Sequence, residues 1–159
     1  ALPILKLLQE TYLGKVKMIY IDPPYNTGND FIYEDDFSQN TDEYLGNSGQ
    51  FDEEGNRLVQ NTESNGRFHT DWLNMIYPRL RLAKDLLTDD GVIFISIDDN
   101  ELNSLISICN EIFGTSNYQG TFVINASPSA IDYGCMAKMH EYAVMYSKNE
   151  LYVKTFILS

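Results

Sequence analysis

Asp22, Pro23, Pro24 and Tyr25 are the residues whose types and order are most specific for chemistry. They follow residues 16–21, a predicted strand whose last four residues form an unbroken apolar run, which predicts burial on both faces inside a parallel sheet. Neither proline can continue the strand's ladder, because proline lacks an N–H and has a fixed φ. The chain therefore leaves the sheet at the carboxyl end of a strand, where open α/β sheets bind ligands.

The carboxylate of Asp22 and the carbonyl of Pro23 are two acceptors side by side, which suits an amino group that donates two hydrogens. Tyr25 adds a flat ring that can stack on another flat ring. An amino group on an aromatic ring describes a nucleobase. The alternative interpretation is a simple turn, since Asp and Pro are common turn formers.

This stretch resembles the D-P-P-Y motif of the DNA methyltransferases that methylate exocyclic amines. The resemblance implies that a target adenine is flipped out of the duplex, as chemistry on a base requires. By the same resemblance, Asp22 and the Pro23 carbonyl bind the two N6 hydrogens, Pro24 keeps the turn rigid, and Tyr25 stacks on the base. It also implies S-adenosylmethionine as the cofactor, with Asp22 as its neighbour, and no covalent enzyme intermediate.

A second carboxylate, Asp98, follows the apolar run 92–97, which predicts another buried strand. Asp98 and Glu101 have the spacing of a capping box that opens the next helix. In the alternative interpretation, Asp98 lies beside Asp22 at the same sheet edge and shapes the substrate pocket. Asn26 and Asp98 are accordingly predicted substrate-binding residues beside Tyr25.

The elements that must position these residues follow from apolar spacing and from chain breakers. Helices are predicted over residues 1–13, 41–45, 70–87 and 101–113, and strands over residues 16–21, 92–97, 118–125, 140–146 and 151–157. Thr70 is the expected N-cap of the third helix, and Pro78 implies a kink or an early break in it. Residues 89–91 are expected to form a turn, and residues 147–150 a hairpin turn.

Two long segments are predicted to be irregular. Residues 47–67 form either a lid or DNA-facing loop, or a solvated loop without substrate contact. Residues 126–139 are expected to be a flexible loop. The whole is predicted to be α/β: a partial, doubly wound, Rossmann-like methyltransferase sheet, its catalytic half, with an antiparallel edge hairpin.

Composition limits the remaining classes of protein. The chain has 159 residues, 43% of them apolar, with no run long enough for a membrane span and no secretory signal. Cys109 and Cys135 lack metal-ligand spacing, so we predict reduced thiols in a cytosolic protein and no metal site. The net charge of −12 opposes a DNA-binding surface, unless the acid faces away from DNA or the basic surface lies in further sequence.

Four stretches, residues 20–37, 68–82, 91–101 and 140–149, resemble the modification subunit of type III restriction–modification systems. In that family the catalytic motif precedes the cofactor loop, Phe-x-Gly-x-Gly, and target recognition lies between them. This chain has no such loop, and both of its ends look cut. Residues 1–159 are therefore expected to be a single partial domain, a fragment that alone methylates poorly.

The resulting prediction is a site-specific adenine-N6 DNA methyltransferase of a type III system, in the bacterial cytoplasm and without a membrane anchor. Its implied partners are double-stranded DNA, a second copy of the chain and a restriction subunit. Three alternatives remain open: a cytosine-N4 DNA methyltransferase, a protein-glutamine methyltransferase, and a non-enzymatic assembly platform for a restriction subunit. The cytosine group usually carries Ser, and the glutamine group Asn, where this chain has Asp22.

Overall fold

The computed structural model describes residues 2–28, 31–33, 50–51, 57–60, 66–125 and 140–153. The helices are α1 (Leu2–Tyr12), α2 (Phe68–Leu86) and α3 (Leu102–Phe113). The strands are β1 (Val16–Ile21), β2 (Phe31–Tyr33), β3 (Gln50–Phe51), β4 (Arg57–Gln60), β5 (Leu87–Ile97), β6 (Tyr118–Asn125) and β7 (His140–Ser147).

Four strands form the main sheet in the order β1-β5-β7-β6. β1 and β5 run parallel, whereas β7 runs antiparallel to both of its neighbours. This confirms the predicted α/β class with an antiparallel edge. The edge pair is β6 and β7, however, and the segment that joins them lies outside the described residues.

One face of this sheet carries the core. Helices α2 and α3 pack there against alternate residues of β5 and β7, including Ile93, Ile95 and Val144, all fully buried. The prediction that β1 is buried on both faces is wrong, because Met18 and Tyr20 are 57% and 54% exposed. Only the face of β1 with Ile19 and Ile21 packs against this cluster.

A second, three-stranded sheet has the order β2-β4-β3 and is antiparallel. Strands β3 and β4 lie within residues 47–67, which were predicted to be irregular, so that prediction is wrong for these two strands. Ile32 is 5% exposed and belongs to the main core. The helix predicted over 41–45 lies outside the described residues, and so does the loop 126–139.

Helix α2 begins at Phe68, with Arg67 in the N-cap position, so the expected cap at Thr70 is wrong. The helix also continues past Pro78 to Leu86, and the predicted early break does not occur. Proline's fixed φ is compatible with a helix, and the buried side chains on either side of it, Met75 and Leu80 among them, favour continuation.

One predicted turn and one predicted strand differ from the structure. Residues 89–91 lie inside β5 as a bulge, because Val16 pairs with Leu87 while Met18 pairs with Val92. The predicted strand over 151–157 begins instead as a 3₁₀ turn, Glu150–Tyr152, and residues 154–159 lie outside the described part. The side chain of Asn149 accepts a hydrogen bond from the N–H of Leu151 and starts that turn. The described helices are all too short or too polar to serve as a membrane span.

Candidate active site

Asp22 and Asp98 lie at the same edge of the main sheet. Each follows the last residue of its strand, and β1 and β5 are parallel neighbours in which Ile21 pairs with Ile95. The side chain of Asp22 is exposed rather than directed into the core. The predicted position of both carboxylates is therefore what the structure shows, while their roles stay predictions.

Helix α2 holds the DPPY turn, residues 22–25, in place through a hydrogen bond. Trp72 is fully buried, and its indole Nε1 donates a hydrogen bond to the carbonyl oxygen of Pro24 at 2.7 Å. Within the described ranges, no donor reaches the carbonyl oxygen of Pro23. The Pro24 carbonyl is thus bonded to Trp72, whereas the Pro23 carbonyl, next to Asp22, can accept a hydrogen bond from a ligand.

Tyr25 is half-buried, with its ring against the core and its hydroxyl among carboxylates. The hydroxyl donates to Oε2 of Glu141, on β7, at 3.2 Å. Burial raises the pKa of Tyr25 far above its ordinary value, and hydrogen bonding of its hydroxyl to the side chain of Asp22, followed by the negative charges of Asp22 and Glu141, raises it further. The residue is therefore a neutral phenol at any physiological pH, suited to stacking rather than to proton transfer.

Asn26 follows directly and is almost fully buried, at 1% exposure. Its backbone has a φ of 62°, in the left-handed region that asparagine tolerates better than most residues. The side-chain Nδ2 donates to Oε1 of Glu101 at 2.5 Å and lies 3.5 Å from the carbonyl oxygen of Phe68. The predicted substrate contact of Asn26 stays a prediction, since this amide is already engaged inside the protein.

Glu101 does not act as the capping-box residue that the sequence predicted. It occupies the N-cap position of α3 without a side-chain capping bond, and it is fully buried. Its Oε1 also lies 2.6 Å from Nδ1 of His69, in the first turn of α2. The capping box is wrong because the glutamate turns inward to Asn26 and His69 rather than back to the helix backbone.

Asp98 is engaged by the turn that follows it. Its two carboxylate oxygens accept hydrogen bonds from the backbone N–H and the Nδ2 of Asn100, at 2.9 and 2.7 Å. This local arrangement satisfies Asp98 at the sheet edge, as aspartate commonly does in turns. Its proposed part in shaping a pocket stays a prediction.

The sequence did not single out several residues that build this site: Trp72, Glu141 and the inward side chain of Glu101. A usable signal existed for Trp72, because a buried indole N–H almost always finds an acceptor. His69, which lies in the first turn of α2, is the other partner of Glu101. Across the described residues, groups of three His, Cys, Asp or Glu side chains suited to a metal ion do not occur.

The chemistry available at the sheet edge is hydrogen-bond acceptance combined with aromatic stacking. Asp22 supplies a negative charge, Pro23 a neutral carbonyl and Tyr25 a partly accessible ring within one short turn. Such a set can bind a planar group with an amine, and it can stabilise positive charge that develops on that amine.

Comparison with known proteins gives a consistent family. Residues 16–158 match the family of N6 and N4 methyltransferases described as DNA methylase. The chain is 44% identical over 155 residues to the type III restriction-modification enzyme EcoP15I Mod subunit of Escherichia coli, covering 94% of this chain and 23% of that protein. It is 42% identical over 152 residues to the EcoPI Mod subunit of Escherichia phage P1, with the same two coverages.

A more distant sequence relative and a solved structure with a similar fold extend the comparison. The type II methyltransferase M.KpnI of Klebsiella pneumoniae is 32% identical over 151 residues, covering 94% of this chain and 31% of that protein. The crystal structure of a DNA modification methylase from Thermus thermophilus shares the fold, with a TM-score of 0.52 at 14% identity over 96% of this chain and 53% of that one. The chain spans about a quarter of the length of the Mod subunits it matches.

Proposed function

The chain belongs to the N6/N4 DNA methylase family, and on that premise we propose that it is the catalytic half of an adenine-N6 DNA methyltransferase. We further propose that this enzyme is the modification subunit of a type III restriction–modification system, as its relatives at 42–44% identity are named. Its substrate would be double-stranded DNA, with one adenine flipped out of the helix.

One observation carries this proposal above the others. The exposed carboxylate of Asp22 and the unengaged carbonyl of Pro23 are adjacent acceptors in a turn held by Trp72. Two acceptors at that spacing suit the two hydrogens of an exocyclic amine. They are preorganised, so binding the amine does not require the turn to rearrange.

The mechanism follows from the electronic structure of the amine. Its lone pair is delocalised into the ring, which makes the nitrogen a poor nucleophile. Acceptors on both N–H bonds favour a pyramidal nitrogen with a localised lone pair. The negative charge of Asp22 then stabilises the positive charge on nitrogen as the bond to the methyl group forms, until the nitrogen releases a proton to water.

S-adenosylmethionine, when bound, would supply the methyl group from its sulfonium, and it would leave as a neutral thioether when the bond between sulfur and methyl breaks. A carboxylate suits the neighbourhood of that positive sulfur, and Asp22 is the residue of this chain proposed to lie beside it. Tyr25 would hold the flipped base by stacking, and Asn26 and Asp98 remain the further candidates for substrate contact. Pro24 contributes rigidity through its ring and through the carbonyl that Trp72 binds.

The partners and the cellular location that we propose are those of the whole enzyme. Type III Mod subunits are the relatives with the highest identity named above, which supports a second copy of the chain and a restriction subunit as partners, in a bacterial cytoplasm. The net charge of −12 indicates that this part of the protein is not the main phosphate-binding surface.

The test is methyl transfer by the full-length protein from labelled S-adenosylmethionine to duplex DNA. We expect label in N6-methyladenine with the wild type, its loss with Asp22→Ala and its decrease with Tyr25→Ala. Label in N4-methylcytosine or in protein glutamine would instead support the other two enzymatic alternatives. Retained assembly with a restriction subunit and no transfer to any acceptor would support an assembly platform.

A further inference from the structure

Asn26 directly follows the DPPY turn and connects it, through side-chain contacts, to the rest of the fold. It is the one residue other than glycine in the described ranges with a positive φ, and it comes directly after Tyr25. A left-handed conformation is unfavourable for such a residue and persists when its surroundings hold it. Whatever holds Asn26 therefore also fixes the direction in which the chain leaves Tyr25.

Glu101 makes the shortest hydrogen bond of the Asn26 side chain among the bonds described above. The side chain of Glu101 is fully buried, and its Oε1 accepts from Asn26 Nδ2 at 2.5 Å. Burying a carboxylate is costly unless it makes strong hydrogen bonds, and those made by an ionised acceptor are short and strong. Oε2 is also buried and meets no donor among the described residues, so this glutamate is not an ordinary helix cap.

The same carboxylate joins three parts of the site. Nδ1 of His69 lies 2.6 Å from Oε1, and Asn26 Nδ2 lies 3.5 Å from the carbonyl oxygen of Phe68, so the first turn of α2 is included. Glu101 itself stands at the start of α3. The DPPY turn, α2 and α3 thus meet at one buried oxygen atom.

We propose that Glu101 is a positioning residue for methyl transfer, because its carboxylate holds the amide of Asn26 and thereby sets the orientation of Tyr25 against the flipped base. This inference rests on the proposed adenine methyltransferase activity and deepens it. It assigns Glu101 no contact with substrate. It predicts that the bond between Glu101 and Asn26 affects the rate of transfer beyond its effect on stability.

The experiment exchanges the donor and the acceptor in the full-length protein. Asn26→Asp places a second carboxylate against Glu101, and we expect transfer to slow at least ~100-fold. In the double variant with Glu101→Gln, the amide and the carboxylate have changed places, and we expect at least a ~10-fold recovery. Glu101→Gln alone keeps an acceptor oxygen for Asn26 and should stay within ~10-fold of the wild type.

Three measurements separate positioning from stability. Single-turnover transfer at saturating cofactor and DNA gives the rate, and thermal unfolding gives the stability. A duplex with 2-aminopurine at the target position reports by fluorescence how the flipped base is held. The matched control is Glu111→Gln on α3, an exposed glutamate that accepts from Tyr77 at 2.9 Å, and it should match the wild type in all three.

The proposal is overturned if Asn26→Asp transfers at the wild-type rate, or if a folded double variant shows no recovery. If Asn26→Asp does not fold, Asn26→Gly decides, because glycine accepts the positive φ and removes the whole side chain together with its bond to Glu101. It should transfer ~10-fold more slowly or worse, with altered 2-aminopurine fluorescence; wild-type behaviour would refute the role. Failure of the wild type to methylate adenine would instead overturn the proposed function, and this inference with it.

Discussion

The indole Nε1 of Trp72 and the carbonyl oxygen of Pro24 are joined by a 2.7 Å hydrogen bond between the second turn of α2 and the DPPY turn. Because this bond occupies the Pro24 carbonyl, the carbonyl that remains beside Asp22 is that of Pro23. A buried tryptophan thus selects which oxygen of the turn can accept from a substrate amine.

Trp72→Phe tests this selection. Phenylalanine keeps a ring in the core but leaves the Pro24 carbonyl without its donor, so we expect the free energy of unfolding to fall by about 2–3 kcal/mol. Methyl transfer should slow by more than that loss explains, because the freed turn can present the wrong oxygen. Urea unfolding and single-turnover transfer in the full-length protein measure the two effects.

The matched control for Trp72→Phe is Ile76→Val on the same helix. Ile76 is 2% exposed, and removing one methylene from the core costs about 1 kcal/mol. This variant should lose stability and keep the wild-type transfer rate. If both variants slowed transfer in proportion to lost stability, the Trp72 bond would have no specific role.

The hydroxyl and the ring of Tyr25 are expected to contribute very differently. Tyr25→Phe keeps the stacking face and removes the bond to Glu141, so transfer should fall by no more than ~10-fold. Tyr25→Ala removes the stacking, worth about 1–3 kcal/mol per base or about 5- to 150-fold in rate, and should slow transfer further than Tyr25→Phe does. Steady-state kinetics on duplex DNA compares the two.

A double-mutant cycle combines Tyr25→Phe with Glu141→Gln. If the hydroxyl acts only through its bond to Glu141, then Glu141→Gln combined with Tyr25→Phe should be no slower than the slower of the two single variants. Equal inactivity of Tyr25→Phe and Tyr25→Ala would show that the phenol itself takes part in the chemistry.

Sequence reasoning succeeded where the signal was local. The bounds of β1 and β6 were predicted correctly, because each contains an apolar, β-rich stretch that ends close to residues unfavourable for a strand. The stretch in β1 placed Asp22 at a sheet edge, and the parallel pairing of β1 with β5 then brought Asp98 to that edge.

It failed where partners are distant in the chain. Glu101 stands three residues after Asp98, which matches a capping box, but its partner Asn26 is 75 positions away. Trp72 and Pro24 are separated by 48 positions. Strand β2 exists through its pairing with β4 and the burial of Ile32, neither of which a short periodic pattern can show.

Cys109 is expected to make stability depend on alkaline pH. Burial raises the pKa of this thiol from 9.0 to about 12. Between those values the unfolded chain has released the proton and the native one retains it, so the free energy of unfolding falls as pH rises, and the contribution is complete below pH 9.0. Urea unfolding at about pH 8 and about pH 10 should show a smaller decrease for Cys109→Ala than for the wild type.

Other groups also titrate in that range, and the comparison between the two proteins removes their shared contribution. A second measurement is alkylation by iodoacetamide, which requires the thiolate. Native Cys109 should stay unmodified near neutral pH and react once the chain is unfolded. Rapid labelling of Cys109 itself in the native protein, or equal pH dependence in both proteins, would contradict this.

Asp22→Asn isolates the charge of the proposed catalytic carboxylate. Asparagine preserves the shape and one acceptor oxygen, but the cationic nitrogen that forms during transfer loses its negative partner. Removing a preorganised electrostatic group of this kind costs about 100- to 1,000-fold in kcat, and we expect such a loss with little change in the affinity for DNA. The control is Asp85→Asn, an exposed residue on α2 that accepts from Gln9 at 3.2 Å, which should behave as the wild type.

Because Asp22→Asn also creates the Asn-Pro-Pro-Tyr sequence associated with glutamine methylation, label in protein should be assayed in parallel. Full activity of Asp22→Asn on adenine would mean that two neutral acceptors suffice and that the charge of Asp22 has no part in the transfer.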